Sequence, residues 1–394
     1  MTDLNYPGVY IEEDASLALS IAAVSTAVPV FAHNKALIKK KKAVRIDSWL
    51  EFIKLISTPE APEPGDPKPE DPKPEGPKPA DSKPEDSKSE DPTSDLLYVS
   101  LKTYFENGGG YAYVCPTDQL TTQVPGLDDV TLIVAAGQWD DTGKSLQTSV
   151  TQLCKDGKGL FALLDGPVGL NTPKADMADY PSLSCAAVYG PWLTANWLSK
   201  DAKGIPPSAA VAGAVCTTDR ERGVWKAPAN IGLKGGVKPK ERVSDTVQGD
   251  YNKYAKPLNL IRAFQGTDPL IWGARTLATD TDRWQYVPVR RLFNAVEKDI
   301  GRAMHTVMFE PNSQPTWEKV RAAIDNYLHA VWRQGGLQGS KPDEAYFVQI
   351  GLGLTMTQDE INNGQLIVKI GLAPVRPAEF IILQMTQDLA SVPA

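Results

Sequence analysis

Strand-like and helix-like runs alternate between Tyr111 and Tyr189, and this alternation constrains the fold more than any other feature of the sequence. The runs YAYVC, VTLIVAAG, LFALLDGP and SCAAVYG are short and apolar, as buried strands are. The stretch SLQTSVTQLCKD between two of them is typical of a helix. Such an alternation predicts an α/β layer with a largely parallel sheet.

The C-terminal part has a different pattern. Residues 290–308 and 317–334 are amphipathic with helical spacing; Thr316 is a plausible N-cap of the second helix, and Gly335 and Gly336 end it. Three strand-like runs then close the chain, EAYFVQIGLGLTM, GQLIVKIGLAPV and EFIILQM. This order predicts an α+β region.

Both ends of the chain carry candidate strands. Near the start, apolar residues alternate with small ones from Leu17 to Ile21, which is the period of a strand. Near the end, the run Phe380–Leu383 is apolar without interruption, which a soluble chain rarely leaves uncovered. Pro374 and Pro377 fit the turn that precedes this run.

A proline-rich stretch separates two helix-like stretches, SWLEFIKLI and DLLYVSLKTYFENGG. Residues 66–92 repeat a five-residue pattern such as DPKPE and hold no apolar residue larger than alanine or proline. Such a segment cannot bury enough surface to offset its ordering entropy. We expect a solvated polyproline-type spacer that leaves the globular core and returns to it.

Charge and cysteine usage exclude several classes of protein. The formal net charge of −7 argues against binding to nucleic acid or to anionic membranes. The four cysteines, Cys115, Cys154, Cys185 and Cys216, lie far apart and predict free thiols in a reducing compartment. Acidic residues precede the uncharged stretch from Ala15 to His33, where a signal peptide would carry basic ones. We therefore expect synthesis in the cytoplasm without a signal peptide and no transmembrane span.

The sequence contains no complete catalytic motif. Gly137 and Gly143 precede Lys144 and Ser145 as in a phosphate-binding P-loop, but five residues lie between the two glycines instead of four, and two of these are Asp140 and Asp141. A nucleotide hydrolase therefore stays a weak alternative. The spacing of Ser and Asp residues singles out none of the three histidines, His33, His305 and His329, as a catalytic base. We predict no enzyme, no cofactor and no metal site.

Ordered motifs along most of residues 1–35 and 95–390 resemble those of contractile tail sheath proteins. They are YPGVYIEE, DRERGVWKAPAN, NLIRAFQGTDPLIWGARTL, YVPVRRLF, FEPNSQPTWEKV, GGLQGSKPDEAYFVQIG and GLAPVRPAEFIILQM. The opening YPGVYIEEDASL and the compact size are most similar to extracellular contractile injection systems of the antifeeding-prophage and Photorhabdus-virulence-cassette type. The proline-rich insertion departs from the sheath pattern and leaves open a main sheath or a minor paralogue at the baseplate.

The resemblance implies a fold and a division of the chain. It implies a subtilisin-like α/β domain without catalytic residues, an α+β C-terminal sheath domain and extended strand arms. The expected segments are an N-terminal arm (1–30), the start of the core (31–58), the spacer (59–94), the α/β domain (95–285), the C-terminal domain (286–378) and a C-terminal arm (379–394).

The resemblance also implies partners. They are further copies in a helical polymer of stacked rings, an inner tube, and baseplate and terminator components, within a particle released from the cell. The arms would link neighbouring copies, and the arm residues are Tyr6, Val9, Tyr10, Ile11, Leu17, Leu19, Ile21, Phe380, Ile381, Ile382, Leu383 and Met385. On the helix at 290–308, Arg291, Lys298 and Arg302 lie opposite the apolar face, so we predict that they contact the inner tube.

Overall fold

A computed structural model describes residues 19–34, 42–57, 91–139, 144–155, 158–279 and 281–382. The chain divides into two compact units. The α/β unit comprises Val24–Val296 and Val375–Ala394, and the C-terminal unit comprises Met1–Ala23 and Glu297–Pro374. The finer domain limits expected from the sequence stay predictions.

A mixed sheet forms the centre of the α/β unit. The strands of this unit are β1 (Pro29–His33), β2 (Val44–Ile46), β3 (Ala112–Pro116), β4 (Leu132–Val134), β5 (Phe161–Asp165), β6 (Ala186–Gly190), β7 (Leu193–Thr194), β8 (Ile231–Gly232), β9 (Lys238–Pro239), β10 (Leu258–Arg262) and β11 (Leu270–Ile271). The central sheet has the strand order β2-β3-β1-β4-β5-β6-β10-β11-β8. In this order, the six neighbouring strands β3, β1, β4, β5, β6 and β10 are parallel. At one edge β2 pairs antiparallel with β3, and at the other β11 pairs antiparallel with β10 and β8 with β11.

The parallel strands are buried because helices pack against the sheet. Every residue of β1, β4, β5 and β6 is buried, which explains why these strands are apolar runs without alternation. The helices are α1 (Trp49–Ser57), α2 (Leu96–Glu106), α3 (Leu120–Gln123), α4 (Ser145–Leu153), α5 (Pro173–Asp176), α6 (Pro207–Arg222), α7 (Asp245–Lys253), α8 (Thr281–Trp284) and α9 (Val287–Met304).

Helix α6 is the most deeply buried of these helices. All residues from Pro207 to Cys216 are buried, so this part of the helix is enclosed on every side. Small residues let it pack closely against α2: a Cβ added at Gly213 would lie 2.5 Å from the carbonyl oxygen of Tyr104. A larger residue at position 213 would therefore push the two helices apart.

The C-terminal unit contains the end of α9 and a small helical and strand region. Its further elements are α10 (Gln314–Arg333), α11 (Pro342–Ala345), β12 (Tyr346–Gln349), α12 (Gln358–Asn362) and β13 (Lys369–Leu372). β12 and β13 form an antiparallel pair in which Tyr346 lies opposite Leu372. Val320, Ile324 and Leu328 of α10 are buried, as the helical spacing predicts.

The sequence predicted many of these elements and missed others. Strands β3 to β6, helices α1, α2 and α4, and the helices α9 and α10 are confirmed. The predicted N-cap Thr316 is wrong: α10 begins three residues earlier, after Ser313, and ends before Gly335, whose φ is 86°. Helix α7 lies within residues 219–257, whose content of glycine, proline, lysine and asparagine predicts surface loops, so that prediction is wrong for Asp245–Lys253. Helix α6 and strand β10 were not predicted.

Candidate interaction sites

The carboxyl ends of β4 and β5 meet where an α/β enzyme commonly places its active site. Here Asp165, 2% exposed, ends β5. Its Oδ1 accepts the backbone N–H of Ser208 at 2.8 Å. Its Oδ2 accepts the Ser208 hydroxyl at 2.9 Å and the backbone N–H of Gly137 at 2.7 Å. The edge is therefore filled by contacts within the chain.

These contacts engage Ser208 and leave it unable to act as a nucleophile. Ser208 is fully buried near the start of α6, and its Oγ accepts the N–H of Ala136 at 3.1 Å while its proton is given to Asp165. A nucleophilic serine needs access to substrate and a base that takes its proton. Ser208 instead ties α6 to the sheet.

The P-loop-like turn at Gly137 also makes its contacts within the chain. The N–H of Gly137, which a P-loop would direct at a phosphate, binds the carboxylate of Asp165. Helix α4 begins at Ser145, directly after Lys144, where the stretch SLQTSVTQLCKD predicts a helix. Residues 140–143 lie outside the described residues. Gly137 therefore supports a packed turn and not a nucleotide site.

The cysteine thiols are also largely inaccessible to solvent. All four cysteines are free and buried, in agreement with the prediction of free thiols. Burial raises the pKa of Cys115 to about 12 and raises the pKa of Cys154 and Cys216. Among the described residues, no cluster of His, Cys, Asp and Glu side chains could hold a metal ion.

A buried ion pair lies where the N-terminal arm enters the α/β unit. Arg291 donates through Nη1 to Asp219 Oδ1 at 3.0 Å and through Nη2 to Asp219 Oδ2 at 2.6 Å. Nη2 also donates to the carbonyl oxygen of Thr26 at 3.0 Å, and the Thr26 hydroxyl donates to Asp219. The side chains of Arg291 and Asp219 are 3% and 6% exposed.

The predicted contact of Arg291 with an inner tube is therefore wrong. Its guanidinium neutralises a buried carboxylate inside the chain, and a buried charge must be paired. The other two residues of that prediction lie further along α9, with Lys298 half-buried and Arg302 exposed. Their contact with a tube stays a prediction.

A second charged cluster lies at the start of the C-terminal arm. Arg275 donates through Nε to Glu379 Oε1 at 2.9 Å and through Nη2 to Oε2 at 2.7 Å. The Tyr286 hydroxyl donates to the same Oε2 at 3.1 Å. We call Arg275, Tyr286 and Glu379 the Glu379 clamp. It fixes the chain at Glu379 to the rest of the α/β unit.

Three large apolar side chains follow the Glu379 clamp directly. Phe380, Ile381 and Ile382 are 72%, 81% and 82% exposed and form no strand. A contiguous exposed apolar run at the end of a fixed segment marks a surface that another protein covers. The predicted arm residues Leu383 and Met385 lie outside the described residues.

The N-terminal arm is described only in part. Leu19 and Ile21 are half-buried, and residues 19–25 form neither helix nor strand. The predicted arm residues Tyr6, Val9, Tyr10, Ile11 and Leu17 lie outside the described residues. Exchange of this arm stays a prediction.

The C-terminal unit offers an incomplete sheet. Within the described ranges, β12 and β13 pair with each other and with no further strand. Phe347 on β12 is 52% exposed. An isolated two-stranded sheet is at best marginally stable in water, and its open edges invite a further strand.

None of the helices in the described ranges combines the length and the apolarity that a bilayer crossing requires.

The family of the chain follows from its similarity to known proteins. Residues 279–388 match the family model of the phage tail sheath C-terminal domain. The chain is 49% identical to a chain of the contracted sheath complex of PVC, an extracellular contractile injection system. That match covers 99% of both chains with a TM-score of 0.81. The chain belongs to the tail sheath protein family.

Two further relatives are similar to the chain at lower sequence identity. A chain of the contracted baseplate structure of the anti-feeding prophage is 43% identical, with a TM-score of 0.79 over 98% of this chain and 99% of that one. The tail sheath protein of Vibrio phage KVP40 is 24% identical over 188 residues. That match spans 45% of this chain and about a quarter, 26%, of the phage protein. The prediction that the chain is not an enzyme agrees with membership in a structural family.

Proposed function

We propose that this chain is the structural subunit of a contractile sheath that polymerises around an inner tube. Contraction of the polymer drives the tube through a target envelope. The observation that carries the proposal is the exposed run Phe380–Ile382 at the end of a fixed segment, in a chain whose C-terminal unit has an incomplete sheet. The 49% identity to a chain of a contracted sheath complex supports it.

Strand exchange would link the copies. An exposed strand edge accepts an extended segment through backbone hydrogen bonds, and alternate side chains then fill apolar positions. The residues from Phe380 onward supply such a segment, and β12 with β13 supplies the edge. Because each copy donates an arm and accepts one, the contact is head-to-tail and builds an open helical polymer.

Contraction would be a rigid-body rotation of each copy while the arms hold neighbours together. The subunit needs no nucleotide for this step, because the energy is stored when the extended polymer assembles. The filled edge at Asp165 and Ser208 supports a body that acts mechanically. We also propose that the α/β unit is subtilisin-like, which the parallel order from β3 to β10 and the buried helix α6 support.

The inner tube would meet the two basic residues near the end of α9. Arg302 is exposed and Lys298 is half-buried one turn earlier. Exposed charges hold a partner weakly and in a salt-dependent way, which suits a tube that must slide on firing. As in the matched extracellular systems, the assembled particle would act outside the cell that makes it.

A second candidate function lies within the same machine. The 43% identity to a chain of a contracted baseplate structure favours a minor sheath paralogue that joins the sheath to the baseplate. Purification of the native particle separates the two roles. A main sheath subunit would be present in every ring, whereas a joining paralogue would be present in a single ring.

Truncation from Phe380 tests the proposed role of the arm. We expect the full chain to sediment as polymer and the variant lacking residues 380–394 to stay in the supernatant. Circular dichroism should show that the truncated variant keeps the helices and sheet of the α/β unit, since the run from Phe380 to Ile382 is exposed there. Polymers of normal form from the truncated variant would contradict the proposed linkage.

A further inference from the structure

The Glu379 clamp is built on the rigid part of the sheet. Asn259 on β10 is 2% exposed, and its Oδ1 accepts the backbone N–H of Arg275 at 2.7 Å. The Nδ2 of Asn259 donates to the carbonyl oxygens of Arg275 at 2.8 Å and Val188 at 3.0 Å. The position of Arg275 is therefore set by two neighbouring strands, β6 and β10.

The side chain of Arg275 is also held on its other side. Its Nη1 donates to the carbonyl oxygen of Asn252 at 2.8 Å, which leaves Nε and Nη2 directed at Glu379. Arg275 and Tyr286 are joined by a backbone bridge, so both donors to Glu379 are on fixed backbone. A two-point contact between a guanidinium and a carboxylate sets orientation as well as distance.

The contact is more enclosed than an ordinary surface ion pair. The side chains of Arg275 and Glu379 are 13% and 21% exposed. The next three residues, Phe380 to Ile382, are 72% to 82% exposed. The boundary between the fixed chain and the exposed arm therefore falls directly after Glu379.

Two prolines stiffen the segment that leads to this boundary. Pro374 and Pro377 have fixed φ angles and bias the preceding residues, Ala373 and Arg376, toward extended backbone. The segment from Pro374 to Glu379 thus combines a restricted backbone with a two-point anchor at its end.

We propose that the Glu379 clamp is a positioning device that fixes the direction in which the C-terminal arm leaves the α/β unit. This inference rests on the proposed strand exchange between copies. A fixed direction reduces the ordering entropy lost when the arm pairs with a neighbour. During contraction, the clamp would also transmit the tension in the arm to β6 and β10, so that the segment before Glu379 does not detach from the α/β unit.

The threshold concentration for polymerisation of the full chain tests this role. Glu379→Gln removes the charge and one oxygen acceptor, and Arg275→Gln removes the two-point donor. We expect each to raise the threshold about tenfold, and the double variant to be no worse than either single one. Glu221→Gln, an exposed glutamate at the end of α6, is the matched control and should polymerise as wild type.

Two milder variants keep the test decisive if a clamp variant folds poorly. Tyr286→Phe removes one donor to Glu379 without changing the ring, and should raise the threshold a few-fold. Arg275→Lys keeps the charge but loses the two-point contact and should also raise it. The thermal unfolding midpoint of unassembled Tyr286→Phe should equal that of wild type, which separates arm positioning from loss of fold.

The outcomes distinguish the clamp from the arm itself. If truncation from Phe380 abolishes polymerisation while both single clamp variants polymerise at the wild-type threshold, the clamp proposal is wrong and strand exchange stands. An additive, roughly hundredfold effect in the double variant would also overturn the clamp, because the two residues would then act independently. If the truncated chain polymerises as well as wild type, the strand exchange proposal itself fails.

Discussion

Arg291 and Asp219 form a two-point ion pair inside the α/β unit, 72 residues apart in sequence, with Nη2 2.6 Å from Oδ2. The same guanidinium binds the carbonyl oxygen of Thr26, where the N-terminal segment enters the sheet. A buried ion pair of this kind fixes three distant parts of the chain together.

Loss of Arg291 should therefore destabilise the fold. Arg291→Ala leaves Asp219 buried without its partner, and we expect the free energy of unfolding to fall by about 3–5 kcal/mol. Chemical denaturation measures the change. Arg222→Ala, at an exposed position near Asp219 on the same helix, should change it by less than about 0.5 kcal/mol. Equal effects of the two variants would contradict this account of the ion pair.

The filled carboxyl edge predicts structural and not catalytic behaviour of Ser208. Ser208→Ala removes an O–H donor to Asp165 and an acceptor for the N–H of Ala136, and should cost about 1–3 kcal/mol of unfolding free energy. Ser182→Ala, at an exposed position, is the matched control.

The same serine should not react with a fluorophosphonate probe in the folded protein, because it is fully buried. Labelling of wild type that disappears in Ser208→Ala would contradict the structural role and revive a hydrolase. We expect no labelling in either protein.

The raised pKa of Cys115 predicts how its reactivity and the stability of the fold depend on pH. Because burial raises the pKa of Cys115 to about 12, its thiol stays protonated in the folded chain at pH 8–9, where an exposed thiol ionises. A disulfide reagent should titrate the cysteines only after denaturation. Since the folded pKa exceeds the unfolded one, this group stabilises the fold fully below about pH 8.5. That stability is lost as the pH rises toward 12. Rapid titration of Cys115 in native protein at pH 8 would show that it is not enclosed.

The basic residues at the end of α9 can be tested without disturbing the core. We expect Lys298→Glu with Arg302→Glu to weaken co-assembly with the inner tube and to remove much of its salt dependence. Polymerisation of the sheath alone should persist. Lys226→Glu with Arg222→Glu, a double reversal in the α/β unit, is the control. Unchanged co-assembly and salt dependence in the α9 variant would exclude this face as the tube contact.

Elements with a clear local pattern could be predicted from the sequence. β3 to β6 are apolar runs with polar or glycine boundaries, and α10 has a regular apolar stripe. Helix α6 was missed because residues 207–216 are buried on every side and rich in alanine, so they have no amphipathic period to detect. Helix α7 was missed because its residues, DTVQGDYNK, have the composition of a loop.

The charged contacts could not be predicted for a different reason. Arg291 stands at a polar position of an amphipathic helix, and its partner is 72 residues away in sequence. The Glu379 clamp joins residues 104 positions apart. No periodicity relates such pairs, whereas the exposed run after Glu379 was evident as an apolar stretch near the end of the chain.

Electron microscopy of the expressed full chain, with a concentration series by sedimentation, tests the central claim most directly. We predict tubes of wide bore or stacked rings above a threshold concentration, and a loss of these when the chain is truncated from Phe380. A protein that stays monomeric at every concentration would contradict it.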